Sequence, residues 1–356
     1  MYMSKVFRLN IVSTKVKTGR GGISTALIGY MESKWLAEIK ARHLVSHDCE
    51  SKLIIFVKAI FSIFSDKEDN SVYWFHCAQW LSIFRKFILA VFAKLRNHKV
   101  YFHFHSYNTV DYIECPVRSR LLSGVLRLSD GVIVLTPWWE KLFLDRYSFL
   151  RGKIFVSPNP IDQILERAAK ERKVLDTKRD NRVIRILAMS RLVDNKGFEV
   201  VIQALCHLPH CFKLTIAGDG PCMTRLKELV SRNGLHDRVE FLGWVNYSEK
   251  QTLLRSSDIF CLPSKYDSFG MGFIEAMSYS LPVVALAHQS TPDVVPNGVA
   301  GILVNEGTPE VLARAIVSSY ERRSEFGKAG REYVLDKFNP DDVTYRVLNF
   351  LKREII

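Results

Sequence analysis

The stretch Ile259-Phe260-Cys261-Leu262-Pro263 is followed directly by Ser264-Lys265-Tyr266-Asp267-Ser268-Phe269-Gly270-Met271-Gly272-Phe273-Ile274-Glu275-Ala276-Met277. The first five residues have the apolar, strand-length character of a buried β-strand, and the residues from Met271 onward read as a helix. Between them lies a loop whose glycines, Gly270 and Gly272, let a ligand come close to the backbone. The free amides at the helix start suit phosphate and sugar oxygens. Two carboxylates frame the loop: Asp267 before it and Glu275 one or two turns into the helix. That spacing could set one on the hydroxyls of a sugar and the other on those of a ribose.

Two further strand–turn–helix units lie upstream. Ile184–Met189 runs into Ser190-Arg191-Leu192 and then Lys196-Gly197, which places two cations and a helix start at one spot, a setting suited to a diphosphate. Solvated surface cations are the plainer alternative for that pair. Ala217-Gly218-Asp219-Gly220-Pro221 again closes a strand and opens a helix, with proline pre-set for a first helical position. For Asp219 a simple connecting turn serves equally well.

The same alternation of apolar strand-length runs and longer helical segments extends along the chain, the pattern of parallel sheets covered by helices. Strands are expected at Phe7–Ser13, Arg42–Ser46, Val72–Phe75, Val100–His105 and Gly131–Leu135. In the second half they are expected at Ile184–Met189, Lys213–Ala217, Val239–Leu242, Ile259–Leu262 and Val283–Ala285. The run from Phe155 to Arg182 has turn residues and then charge without a strand pattern. The expected organisation is an N-terminal Rossmann-like domain over 1–160, a linker over 161–182, a C-terminal Rossmann-like domain over 183–337, and a helix over 338–356 that packs back across the lobes.

The ordered series SRL…KG, AGDGP, VEFLGWV and LPSKYDSFGMGFIEAMSYSLPVVA resembles glycosyltransferase family 4, of the GT-B superfamily, over the whole second half. The resemblance implies an α/β GT-B fold, two Rossmann-like domains with parallel sheets facing a central cleft. It implies retaining transfer of a hexose from a UDP- or GDP-linked donor, with Arg191, Lys196 and the amides around Gly270, Met271 and Gly272 on the diphosphate. Asp267 and Glu275 stand as catalytic carboxylates, with Glu275 and Gly218 also on the nucleotide side. Trp244 and Asn246, after Leu242, are expected near the base, with stacking and core packing both open for Trp244.

In the first half, Gly19-Arg20-Gly21-Gly22-Ile23 looks like the family's glycine loop. His105, at the end of VYFHFH, looks like its cleft histidine on the transferring sugar, and Ser157-Pro158-Asn159-Pro160 like its interdomain turn, a hinge for closure over the donor. His103 shares the sheet face of His105, and is expected as a buried, hydrogen-bonded core histidine. His76 is a further cleft candidate. Asp267 departs from the family's usual Glu and shortens that carboxylate by one methylene, which puts donor placement or activity in question. No DxD stands in a strand–loop setting, so no metal or other cofactor is expected.

The 356 residues carry a net charge of +13, with 23 Lys and Arg against 12 Asp and Glu in residues 1–160. No nucleic-acid-binding motif accompanies that excess. Lys52–Phe64 and Phe84–Arg96 mix bulky apolar residues with Lys and Arg, which fits peripheral contact with an anionic membrane. Core-facing helices with a solvated basic face are the alternative. Seven scattered cysteines, no secretory signal and no spanning apolar run point to a reduced, cytoplasmic protein, either free or peripheral on the inner face of the membrane. The acceptor expected is a glycan or a polyprenyl-diphosphate-linked oligosaccharide in bacterial polysaccharide, O-antigen, capsule or lipopolysaccharide, assembly. Alternatives are another GT-B enzyme, an epimerase or phosphorylase, or a non-catalytic nucleotide-sugar-binding protein.

Overall fold

The computed structural model describes residues 8–15, 22–47, 52–66, 71–171 and 183–353. The chain divides into two compact units, 1–163 with 338–356, and 164–337.

The first unit is built on a six-stranded parallel sheet: β1 Leu9–Thr14, β2 Arg42–His47, β3 Val72–Cys77, β4 Lys99–Phe104, β5 Gly131–Val134 and β6 Ile154–Val156, in the order β2-β1-β3-β4-β5-β6. β3, VYWFHC, is buried at every position, as strands covered by helices on both faces must be. The last helix, Pro340–Lys352, belongs to this unit. Asn339 caps it by accepting from the amides of Asp341 and Asp342, and its Val343, Val347, Leu348 and Leu351 join Leu9, Ile11 and Trp74 in one apolar core. Tyr101 Oη donates to Leu351 O at 3.2 Å and Ser33 Oγ to Asp341 Oδ1 at 2.9 Å.

The second unit has its own parallel sheet: β7 Ile184–Met189, β8 Phe212–Ala217, β9 Val239–Gly243, β10 Ile259–Leu262, β11 Val283–Leu286 and β12 Gly301–Val304, in the order β12-β11-β10-β7-β8-β9. That is the Rossmann order, with the sequence direction reversing between β7 and β10. Ligands of open α/β sheets bind at such a switch point, beyond the carboxyl ends of its two strands.

Two strands lie outside the sequence expectation. β6 is three residues long and occupies part of the run read as lacking strand pattern, and β12 opens on Gly301; both are edge strands too short for a clear period. The expected linker also contains a helix, Gln163–Lys170, which buries Leu165, Ala168 and Ala169. Residues 172–182 of that stretch lie outside the described residues.

Candidate functional site at the switch point of the second unit

The loops after β7 and β10 are tied together by backbone: Lys265 N donates to Asn195 O at 2.8 Å. This brings the cationic loop of the first strand against the acidic loop of the other. Lys196 Nζ donates to Tyr266 O at 2.9 Å and to Asp267 Oδ1 at 2.8 Å, and both side chains are largely buried. Asp267 Oδ2 is buried without a hydrogen bond, so one oxygen of the carboxylate is held and the other is left as an acceptor. The backbone oxygen of Asp267 accepts from Ser290 Oγ at 2.8 Å. The Arg191 side chain is exposed beyond the end of β7.

Gly270 precedes the helix Met271–Ser278 in the left-handed region at φ 84°, and no side chain caps that helix. Its first-turn amides, with Met271 and Gly272 only partly covered, present the positive end of the helix at the switch point. Further along the same helix Glu275 is buried, and its Oε1 accepts from Lys250 Nζ at 2.6 Å. Lys250 also lies 5.0 Å from the centre of the Tyr247 ring. It comes from the helix Tyr247–Ser256, which begins with a reciprocal Asn246–Glu249 capping box.

Gly218 closes β8 at φ 146°, and a Cβ there would fall 1.8 Å from Ser190 O. The glycine lets the ends of β7 and β8 approach each other, and its amide donates to Gly243 O at 2.7 Å. Trp244 follows that residue and is 54% exposed, which removes core packing from its two readings.

Of the residues singled out from sequence, Arg191, Lys196, Gly218, Trp244, Asp267, Gly270, Met271, Gly272 and Glu275 all follow the carboxyl ends of strands β7, β8, β9 and β10. Sequence reasoning missed Lys250 and Ser290. Neither sits in a motif: Lys250 reaches the Glu275 carboxylate through helix packing, and Ser290 reaches the backbone oxygen of Asp267 through loop folding. Asn246 was placed near the base; the structure uses it as a helix cap.

In the first unit, Gly22 opens the helix Gly22–Met31, while Gly21 lies outside the described residues. His105 directly follows β4 and is 7% exposed, and its Nε2 lies 2.9 Å from His76 Nδ1. His103 is fully buried as expected, but neither ring nitrogen has a hydrogen-bond partner, contrary to the expected bonded core histidine. Burial pushes all three imidazoles toward the neutral form, His105 to about 3, where the charge of Lys86 adds to the effect and the Asn159 side chain opposes it. Lys86, itself buried, is lowered to about 8 by the same loss of solvation.

Two units, each built on a six-stranded parallel sheet, give the chain the α/β fold of GT-B glycosyltransferase structures. Residues 169–333 match the family of glycosyl transferases group 1. HepE of Anabaena, solved in complex with UDP-glucose, superposes with a TM-score of 0.75 over 97% of this chain and 100% of its own, at 19% identity. The chain is 30% identical over 186 residues to the lipopolysaccharide core biosynthesis glycosyltransferase LpsE of Rhizobium meliloti, covering 51% of this chain and 53% of that one. It is 32% identical over 177 residues to the amylovoran biosynthesis glycosyltransferase AmsK of Erwinia amylovora, covering 46% and 43%. The chain thus spans about half the length of these curated relatives.

Proposed function

We propose that the chain is a retaining glycosyltransferase of family 4 type that moves a hexose from a UDP- or GDP-linked donor to a glycan or lipid-linked oligosaccharide in bacterial polysaccharide assembly. The observation that carries this reading is the convergence at one switch point of Lys196, Asp267, the open start of the helix Met271–Ser278 and the buried Glu275. The family match of the same unit and the names of its relatives support the reaction class. A UDP-sugar complex of the fold neighbour HepE supports the kind of donor.

As the glycosidic bond to the diphosphate breaks, negative charge builds on the leaving oxygen. Lys196, held by Asp267, the exposed Arg191 and the amides of Met271 and Gly272 supply the cations and dipoles for that charge, and they act on rate because the charge grows towards the transition state. In this reading they do at the diphosphate what a divalent ion does elsewhere. Asp267 offers its open oxygen to a sugar hydroxyl, and Glu275 accepts from the ribose.

The decisive experiment is a thermal-shift series with UDP, GDP, ADP, CMP and their sugar conjugates, run in parallel on the Lys196→Ala variant. A ligand that binds only the folded state raises the melting temperature. A shift by one uridine or guanosine nucleotide, lost in the variant, is expected; a flat response to all of them would sink the proposal.

The same proposal includes contact with an anionic membrane surface. On the helix Lys52–Phe64 the residues Leu53, Ile54, Val57, Phe61 and Phe64 form one stripe, each between 45% and 75% exposed. On the neighbouring helix Trp80–Leu95, Leu81, Phe84 and Leu95 are likewise exposed, and the rings of Phe64 and Phe92 sit 5.1 Å apart. Apolar stripes of this size, with Lys58 and Arg96 exposed on or beside the two helices, are the pattern of an interfacial face rather than of a solvated one. Among the described residues no helix is long and apolar enough to cross a membrane.

A further inference from the structure

The register of β3 and β4 pairs His76 with His103, and the two-residue strand period brings His105 to the same face as His103. The rings of His103 and His105 are 4.0 Å apart, and His76 lies 5.1 Å from each. Trp74 stacks on His103 at 5.7 Å and flanks His76 at 4.4 Å, so the cluster is walled by an apolar ring.

One ring nitrogen from each histidine lies within 4.8 Å of the other two. His76 Nε2 and both nitrogens of His103 are buried with no hydrogen-bond partner, while His76 Nδ1 and His105 Nε2 share a hydrogen bond of 2.9 Å. A neutral imidazole carries one N–H and one lone pair, so His103 alone buries an unsatisfied donor and an unsatisfied acceptor. Each such group costs about 1–3 kcal/mol, and a cluster of them calls for an occupant such as water or an ion.

The geometry points to a transition-metal ion of the Zn²⁺ class, held by His76, His103 and His105. Three neutral imidazoles with one position left for water form a known zinc coordination set. Two nitrogens on a tetrahedral ion, each at about 2.0 Å from it, stand about 3.3 Å apart; the 2.9 Å between His76 Nδ1 and His105 Nε2 is close to that spacing. With Nε2 of His105 on the ion, its Nδ1–H is the group that an outer partner would fix. Asn159 Oδ1, buried and without a hydrogen bond, belongs to the side chain that acts on His105.

Lys86 is the feature that opposes a cation here. Its charge reaches both His76 and His105, so removing it should tighten metal binding, a sign opposite to that of removing a ligand. This site does not depend on the donor reading, because metal uptake is measured without turnover.

The test is titration of tag-free, chelator-stripped protein with Co²⁺, followed by its visible spectrum. Expected is uptake of one equivalent, with the bands of low-coordinate cobalt and no thiolate charge-transfer band. His76→Phe and His103→Phe should each weaken binding by at least ~100-fold without abolishing the nucleotide thermal shift. Lys86→Met should tighten it by about tenfold, the order of one like charge removed from a poorly solvated neighbourhood. No uptake, a thiolate band, or uptake indifferent to His103→Phe overturns the assignment. If neither histidine variant folds, Lys86→Met decides: tighter binding supports the site and unchanged or weaker binding overturns it.

Discussion

At the scale of single residues, the switch point of the second unit is organised by two ion pairs, Lys196 with Asp267 and Lys250 with Glu275. In the first, Asp267 holds the ammonium, and under the proposed function a donor diphosphate must then share it. Lys196→Ala should therefore weaken UDP binding and lower turnover together, turnover by about 10²–10³-fold. Asp267→Asn should lower turnover while leaving UDP affinity unchanged or tighter, because Lys196 loses its competitor; comparing Kd for UDP with kcat/KM separates the two. The second pair is the more buried, with Glu275 nearly inaccessible. Lys250→Met leaves a buried carboxylate without its partner, and should cost the second unit about 1–3 kcal/mol in denaturant unfolding while raising KM for the donor. A variant as stable as the parent would show that the pair contributes little.

At the scale of elements, the helices Lys52–Phe64 and Trp80–Leu95 each bury one face and leave an apolar stripe outside. Their composition had left a membrane face and a solvated basic face as equal readings, and the observed exposure favours the first. Phe61→Ser with Leu81→Ser should reduce co-sedimentation with anionic vesicles by about tenfold or more, since each large apolar side chain contributes roughly 1.5–3 kcal/mol on full burial. The melting temperature should stay the same, because neither residue lies in the core. Equal sedimentation of parent and variant would remove the membrane reading.

At the scale of the whole molecule, the chain leaves the first unit, builds the second, and returns. The final helix supplies Val343, Val347, Leu348 and Leu351 to the core that β1 and β3 begin. Ending the chain at Asn339 should therefore abolish the unfolding transition of the first unit, and leave a second transition that UDP still raises. Calorimetry with and without nucleotide checks both parts. Retention of the first transition would show that the helix is dispensable.

Most of the second unit was legible without coordinates because its candidate site sits in contiguous strand–loop–helix segments. Ser190 to Gly197, Ala217 to Pro221 and Ser264 to Met277 each carry their own turn chemistry, and local chemistry survives in a linear reading. The short edge strands β6 and β12 were not legible, for want of enough residues to show a period. Neither was Lys250, because its partner is 25 positions away. The histidines were visible one by one, but the unsatisfied nitrogens of His103 and His76 were not, because these depend on what the packed core places around each ring. By itself the sequence determined the order of the elements and the residue types at each strand end. The tertiary structure alone decided which charges meet, which nitrogens are sealed from water and which apolar faces stay outside, since each of these follows from neighbours distant along the chain.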